Sequence, residues 1–271
     1  MWWGQWSDTK SMSNNHDSMR RFGGLDRLFG AQSVRKLQQA HVVVAGIGGV
    51  GSWCVETLAR SGVGALTLID MDVVSVSNIN RQLPALDSTL GRDKIEVMAD
   101  RIGEINPHCR VHLVDEFVTA ENGAAFFESS AQVVIDCTDD LNAKIALVLA
   151  ARQQPEKRLL VCGAAGGKRN PLTLTEGDLS LATHDALLAR LRQRLRKQHG
   201  WPAGPRKSHQ RPAKMHIHAV WFAEETVLPP EWTQEQDPLQ GLSCAGYGSA
   251  MSMTASMGLL VAQRAMDHIL A

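Results

Sequence analysis

One stretch of the chain, residues 41–82, constrains the fold more than any other. An apolar run at residues 42–45 is typical of a buried strand, and a glycine-rich turn follows it directly. A helical pattern then leads to a second apolar run, residues 65–69, which ends at Asp70 and Asp72. Strand, glycine turn, helix, strand and acid in this order form the nucleotide-binding βαβ unit. The sequence therefore predicts a doubly wound α/β fold with a mainly parallel, Rossmann-like sheet.

The glycines of this turn indicate a phosphate site; they are Gly46, Gly48, Gly49 and Gly51. They permit a tight turn and let a phosphate approach the backbone N–H groups at the start of the helix. Asp70 stands at the end of the second strand, where a carboxylate can accept hydrogen bonds from a ribose. The turn alone does not identify the nucleotide, because most units of this kind bind NAD or FAD.

The loop after the second strand favours a nucleoside triphosphate. It carries Asp72, Asn78 and Arg81, and Lys94 follows within a GRDK turn. A dinucleotide site needs one acid and little positive charge, whereas Arg81 and Lys94 can offset phosphate charge and the acids can hold magnesium. A solvated, charged loop is the alternative that these residues leave open.

A second polar group follows a strand predicted at residues 132–135. It comprises Asp136, Thr138 and Asp139, and the helix predicted at residues 143–152 comes next. Because parallel strands end at one edge of a sheet, we expect this group to lie near the glycine turn. We interpret Asp139 as a Mg²⁺ ligand and Asp136 as a support for the loop. Capping of the next helix by Asp139 or by its neighbour Asp140 remains open.

These motifs, in this order, resemble the ubiquitin-activating-like (ThiF/MoeB-type) superfamily of ATP-dependent adenylating enzymes. The resemblance implies ATP and Mg²⁺ as ligands, a homodimer, and catalytic roles for Arg81, Lys94 and Asp139. It implies that an N-terminal arginine enters the partner's ATP site, for which Arg21 and Arg27 are the candidates. The further ATP-binding positions that it implies are Gly46, Gly48, Gly49, Gly51, Asp70, Asp72, Asn78, Asp136 and Thr138.

The later part of the chain resembles one subfamily, the bacterial tRNA threonylcarbamoyladenosine dehydratases. The similarity lies in a small-residue loop at residues 163–167, in Asp178 and in the leucine and arginine spacing of residues 185–196. Asn170 stands where aspartate is usual. The resemblance implies a cyclising ligase that closes a ring on a modified adenosine beside the tRNA anticodon.

This resemblance suggests two further binding partners without deciding whether the protein binds them. One is a monovalent cation near the small-residue loop, and the other is a cysteine-desulfurase or sulfur-acceptor system that docks on the protein. An adenylating activator of a ubiquitin-like sulfur carrier is the rival function. Several such activators hold zinc with two CxxC pairs, which this sequence lacks.

A basic segment fits the expected tRNA partner. Nine of the 28 basic residues lie between Arg190 and Lys214, and no acidic residue interrupts them. Concentrated positive charge is consistent with binding to a phosphate backbone. Arg192, Arg196 and Lys197 are the candidate contacts, and a solvated helix face is the alternative. The net charge of zero gives no indication of a DNA partner.

The sequence also predicts how the chain is organised and where the protein is located. We expect a disordered tail at residues 1–19, an ATP-binding core at 20–167, and a tRNA-facing, dimer-contributing part of the same domain at 168–271. The cysteines indicate free thiols in a cytoplasmic protein, although the role of Cys244 is undetermined. The uncharged stretch 238–263 is rich in small residues, which favours a tightly packed helix over a membrane span.

Overall fold

The computed structural model describes residues 17–128, 130–204, 210–228 and 247–271. Seven strands form one sheet: β1 (His41–Ala45), β2 (Ala65–Ile69), β3 (Arg110–Val114), β4 (Val133–Asp136), β5 (Arg158–Cys162), β6 (Leu174–Asp178) and β7 (His218–Phe222). The helices are α1 (Gly24–Phe29), α2 (Ser33–Gln39), α3 (Gly51–Arg60), α4 (Lys94–Ile105), α5 (Ala125–Glu128), α6 (Leu141–Gln153), α7 (Ala186–Gln198) and α8 (Met251–Leu270).

The strand order confirms the predicted doubly wound sheet. It runs β3-β2-β1-β4-β5-β7-β6, and every neighbouring pair is parallel except β6 with β7. Chain order reverses between β1 and β4, which are hydrogen-bonded neighbours. At such a point the loops after the two neighbouring strands run in opposite directions. A crevice therefore opens between them at the carboxyl edge of the sheet. The topology therefore fixes where a ligand can bind.

Helices cover both faces of the sheet, so its central strands are apolar throughout. Val42 and Val44 of β1 join a core layer with Leu58 of α3, while Val43 joins the opposite layer with Leu191 of α7. Successive side chains of a strand point to opposite faces, and a sheet buried on both faces reads as a continuous apolar run. This burial explains why β1 and β2 were recognisable from sequence.

Two expectations about secondary structure were wrong at their edges. Residues 17–22 are helical, so the predicted tail 1–19 ends too late; the helix is held by the Arg21–Asp17 ion pair at 2.8 Å. Residues 1–16 lie outside the described part of the chain. The helix expected at 121–128 comprises only α5, because Asn122 Oδ1 accepts the Thr119 N–H and fixes a turn there.

Strand β6 is absent from the sequence interpretation, which placed an acidic turn there. Its residues are half-buried and include Glu176, Gly177 and Asp178, so the local pattern carries no strand signal. The antiparallel pairing with β7 decides its conformation. Residues 168–271 thus contribute β6, β7 and α8 to the same sheet and core as residues 20–167.

The uncharged stretch near the C-terminus forms part of α8, which packs closely on α3. Gly258 makes this approach feasible, since a Cβ there would lie 2.5 Å from the Val50 carbonyl oxygen and 2.8 Å from Trp53 Cβ. Among the described residues, no helix combines the length and apolar character that a bilayer crossing requires. Cys244 and residues 238–246 lie outside the described residues.

We predict that Gly258→Ala lowers the free energy of unfolding by about 1–3 kcal/mol, because the added methyl group forces α8 away from α3. Gly103→Ala is the matched control, since a Cβ at Gly103 on α4 meets nothing within 4 Å. There the change should stabilise the protein by about 0.5–1 kcal/mol through helix propensity. Denaturant unfolding of both variants measures the difference, and equal effects would contradict the packing argument.

Candidate active site

A cavity of about 750 Å³ opens at the carboxyl edge of the sheet, where the strand order reverses. Its wall comes from the loops that follow β1, β2, β3, β4 and β5. The predicted site residues that line it are Gly46, Gly48, Gly49, Asp70, Asp72, Asn78, Arg81, Lys94, Thr138 and Asp139. Residues separated by more than 90 positions in the sequence are thus brought into one crevice, as the topology requires.

The glycine turn is shaped by close backbone contacts. Gly46 has a φ of 85°, and a Cβ there would lie 2.9 Å from the Cys137 carbonyl oxygen and the Thr138 nitrogen. Only glycine combines this conformation with so close an approach between the loops after β1 and β4. Gly51 does not line the cavity; a side chain there would overlap the Gly46 carbonyl, so Gly51 permits the turn.

Asp70 connects the glycine turn to the loop after β2. Its Oδ2 accepts the Ile47 N–H at 2.6 Å, and its Oδ1 accepts the Asp72 N–H at 2.9 Å. Burial raises the pKa of Asp70 above its ordinary value, while the charge of Lys94 and the two backbone donors oppose this shift. The carboxylate therefore lies fixed at the end of β2, where a ribose binds in folds of this topology.

Lys94 brings positive charge into the cavity. Its Nζ lies 2.6 Å from Asp72 Oδ2, and its side chain is 5% exposed whereas that of Asp72 is 58% exposed. Lys94 is also the first residue of α4, where the helix dipole disfavours a cation. A buried lysine in this position is costly for the fold, and a polyanionic ligand would offset that cost.

Arg81 is held in place through its backbone. Its carbonyl oxygen accepts hydrogen bonds from Trp53 Nε1 at 3.2 Å and from Thr254 Oγ1 at 3.1 Å. Its Nη1 donates to the Ser77 carbonyl oxygen at 2.8 Å and to Asn80 Oδ1 at 2.9 Å. The guanidinium group is thereby positioned at the cavity wall, where its planar donors can contact a phosphate.

Asp136 lies behind the cavity and does not line it. Its Oδ1 lies 3.1 Å from Lys144 Nζ, and both side chains are fully buried. The same oxygen accepts the Thr138 N–H at 3.0 Å and the Thr138 hydroxyl at 2.7 Å. Burial acts to lower the pKa of Lys144, but the Asp136 carboxylate together with Cys162 and Cys137 outweighs it, and the net shift is upward. Asp136 and Lys144 therefore form a charged support for the loop that carries Asp139.

The two acids that follow, Asp139 and Asp140, both line the cavity, but they differ in their hydrogen bonding to the next helix. Asp140 Oδ1 accepts the Ala143 N–H at 2.7 Å and so caps α6. Asp139 is exposed to the cavity, next to Thr138. The capping alternative that the sequence left open for Asp139 is thus assigned to Asp140.

The acids of the cavity suit a magnesium ion that arrives with a nucleotide. Among the described residues, no group of three His, Cys, Asp or Glu side chains could hold a metal on its own. Mg²⁺ is commonly bound by one or two carboxylates together with substrate phosphates. Asp139 fits this arrangement, and its role as a Mg²⁺ ligand stays a prediction.

Comparison with known proteins agrees with this geometry. The model of the ThiF family matches residues 24–270. The chain belongs to the ThiF family. The tRNA threonylcarbamoyladenosine dehydratase of Haemophilus influenzae is 40% identical over 93% of this chain and 94% of its own length. The structure of the Escherichia coli tRNA N6-threonylcarbamoyladenosine dehydratase TcdA in complex with ATP has a TM-score of 0.81 at 39% identity, covering 93% of this chain and 94% of that chain.

A second structure of that E. coli protein, in complex with AMP, has a TM-score of 0.80 at 39% identity over the same shares of the two chains. The superfamily and subfamily resemblance drawn from the motifs is therefore confirmed. The assignment of individual residues to ATP stays a prediction.

Two parts of this ThiF-family cavity were missed by sequence reasoning. Residues 116–120, which follow β3, line one side, and Phe117 is 61% exposed there. Asn122 fixes this loop by accepting the Thr119 N–H at 2.7 Å and donating to the Phe117 carbonyl oxygen at 2.9 Å. Thr254 of α8 also reaches the cavity. No local motif marks these residues, because their position depends on strand order and helix packing.

The small-residue loop reaches the cavity through Gly163, Ala164 and Ala165. Asp185 anchors it: its Oδ2 accepts the Ala164 N–H at 2.8 Å, while its Oδ1 accepts the Leu188 N–H at 2.8 Å and caps α7. A Cβ at Gly163 would overlap the Asp185 carboxylate, so the approach needs glycine. Burial raises the pKa of Asp185, and the two backbone donors oppose that shift.

The two N-terminal candidates lie away from the cavity of their own chain. Arg21 pairs with Asp17 and donates to the Ile105 carbonyl oxygen at 3.3 Å, and the Arg27 side chain is exposed on α1. Neither residue lines the cavity. Their entry into a partner's ATP site stays a prediction.

We predict that Asp139→Ala abolishes ATP consumption with an unfolding midpoint close to that of the unaltered protein. Asp140→Ala is the matched control; it should cost about 1 kcal/mol of stability through loss of the helix cap and retain ATP consumption below its unfolding temperature. Pyrophosphate release and thermal unfolding are the two measurements. Loss of activity in Asp140→Ala alone would reverse the assignment of roles.

Proposed function

We propose that this protein is an ATP-dependent tRNA threonylcarbamoyladenosine dehydratase. The observation that carries the proposal is the single cavity that joins the glycine turn, Asp70, Lys94, Arg81 and Asp139 at the switch point of the sheet. Two dehydratase relatives support it, since they match the chain over nearly its whole length. The E. coli structures with ATP and AMP support a site for the nucleotide before and after loss of pyrophosphate.

The first chemical step is adenylation of a carboxylate. A carboxylate oxygen of the threonylcarbamoyl group attacks the α-phosphorus of ATP, and the bond to the β-phosphate breaks as pyrophosphate leaves. The backbone N–H groups of the glycine turn and the cations Arg81 and Lys94 stabilise the negative charge on the phosphates. Asp70 would bind the ribose, and Asp139 would hold Mg²⁺, which would supply positive charge to the phosphate oxygens.

The second step closes a ring within the same group. A nucleophilic atom of the threonylcarbamoyl group attacks the activated carbonyl carbon, loses its proton, and displaces AMP. The original carboxylate oxygen leaves on AMP, so the nucleoside loses one molecule of water overall. Because the nucleophile is tethered to the carbonyl that it attacks, this step needs no thioester to the protein.

The tRNA would approach along α7. Lys197 is exposed there, whereas Arg192 is half-buried and donates to the Ala182 carbonyl oxygen at 2.7 Å. Arg196 Nε donates to the Pro202 carbonyl oxygen at 3.1 Å. Trp201 Nε1 donates to the Met215 carbonyl oxygen at 3.1 Å, which connects the residues after α7 to the segment before β7. Arg192 and Arg196 therefore order the basic surface as well as charging it.

The same proposal includes a cytoplasmic homodimer. The free thiols Cys54, Cys109, Cys137 and Cys162 support a reducing compartment. A homodimer would bring Arg21 or Arg27 of one subunit to the ATP site of the other, which their distance from their own cavity permits. Docking of a cysteine-desulfurase or sulfur-acceptor protein remains open within this proposal.

The deciding experiment incubates the purified protein with ATP, Mg²⁺ and tRNA that carries threonylcarbamoyladenosine. Nucleosides released under mild conditions are then weighed by mass spectrometry. We expect ATP-dependent loss of one water from that nucleoside, with formation of AMP and pyrophosphate. An unchanged nucleoside, together with pyrophosphate exchange that requires a ubiquitin-like sulfur-carrier protein, would instead establish the rival activity.

We predict that Lys197→Glu weakens tRNA binding roughly 3- to 10-fold, because a phosphate contact is replaced by repulsion. The slope of the logarithm of the binding constant against the logarithm of the salt concentration should become smaller by about 1. ATP affinity should not change. Arg35→Glu is the control, since it makes the same change of charge at an exposed position on α2. Filter binding at several salt concentrations measures both, and equal losses would mean that overall charge alone is responsible.

A further inference from the structure

Lys168 immediately follows the small-residue loop and is one of the buried charged residues of the protein, at 5% exposure. Its ammonium group donates to three oxygens: the His184 carbonyl at 2.8 Å, Thr226 Oγ1 at 3.1 Å, and the Glu224 carbonyl. A lysine ammonium has three N–H donors and no acceptor. These three oxygens, which we call the oxygen nest, accept all three donors. Two of them are backbone carbonyl oxygens.

The oxygens come from segments that are distant in sequence. His184 precedes the N-cap of α7, while Glu224 and Thr226 follow β7. His184 has a φ of 56°, a left-handed conformation that is unfavourable for a residue with a side chain. Its carbonyl oxygen is nevertheless turned towards Lys168, so the cation holds a strained residue in place.

The same segments fix the small-residue loop. Val227 N–H donates to the Gly167 carbonyl oxygen at 2.8 Å, and Glu224 Oε2 accepts the N–H groups of Arg169 and Asn170, each at 3.1 Å. Asp185, which follows His184, pins Ala164 at the cavity. A displacement of the oxygen nest around Lys168 would therefore also displace the small-residue loop, which forms part of the wall of the active-site cavity.

The surroundings of Lys168 are those of a cation site. Burial lowers the pKa of Lys168 below its ordinary value, and the nearby carboxylates of Asp185 and Glu224 only partly oppose this shift. Backbone carbonyls, a hydroxyl and a nearby carboxylate are oxygen ligands of the kind that hard metal cations take. An ammonium group has the charge of a potassium ion and nearly its size.

We propose that Lys168 is a built-in monovalent cation for this oxygen nest and positions the small-residue loop without a bound metal ion. The monovalent cation that the sequence left open near this loop is then supplied by the chain itself. The effect on tRNA dehydration rests on the proposed function, whereas the effect on stability does not.

The test replaces Lys168 with glutamine, which removes the charge and adds one amide oxygen to the nest. Arg169→Gln is the matched control, because Arg169 is the adjacent residue and is exposed. Thermal unfolding is recorded in KCl, NaCl and choline chloride at the same ionic strength. Choline is too large to enter the nest, so it reports the effect of salt alone.

We expect Lys168→Gln to lower the unfolding midpoint by about 5 °C in choline chloride, because the buried acceptors lose a charged donor that the shorter, neutral amide replaces only in part. KCl should restore a substantial part of this loss, and the restoration should saturate with concentration. Turnover of the variant should follow the same K⁺ dependence. The unaltered protein and Arg169→Gln should show the same midpoint and turnover in all three salts.

Three results would overturn the proposal. The first is an equal loss in all three salts, including failure to fold in each, which would make Lys168 a simple hydrogen-bonding tether. The second is no loss at all in choline chloride. The third is a K⁺ requirement of the unaltered protein, for stability or for turnover, which needs no variant to detect. Because unfolding is read without tRNA, each result is separable from failure of the dehydratase activity.

Discussion

The parallel pairing of β1 with β4 is the constraint on which the rest of the molecule depends. Their register, from Val42 opposite Val133 to Ala45 opposite Asp136, makes both strands end at the same level. The loops that follow then meet where Gly46 contacts Cys137, and the crevice opens beside them. A side chain at Gly46 would separate these loops, so the conformation of a single residue links the sheet topology to the nucleotide site.

Charge is distributed in layers around this crevice. Groups exposed to the cavity, such as Asp139, are free to meet a ligand, while buried charges behind it fix the loops. Asp136 with Lys144 supports one loop, and Lys168 with its oxygen nest supports another. Breaking a buried ion pair leaves an uncompensated charge, which is costly. These buried contacts position the loops behind the cavity, and preorganised electrostatic catalysis depends on such positioning.

Much of the fold was predictable because its signals are local. The bounds of β2 match the predicted apolar run at residues 65–69, since the strand period is read directly from sequence. Strand β6 was not predictable, because Glu176 and Asp178 give no apolar alternation and only pairing with β7 makes them extended. The cavity wall at Phe117 and Thr254 was missed for the same reason: its members come from distant elements.

The sequence by itself determined the class of fold, the phosphate-binding turn and the family, because each depends on residue types at short, fixed spacings. Tertiary structure decided which of two acids at the cavity caps a helix. Asp139 and Asp140 are adjacent and chemically identical, and only the start of α6 distinguishes them. It also decided that Lys168, one of many basic residues in the sequence, is buried among oxygens, since burial arises from contacts that no local pattern encodes.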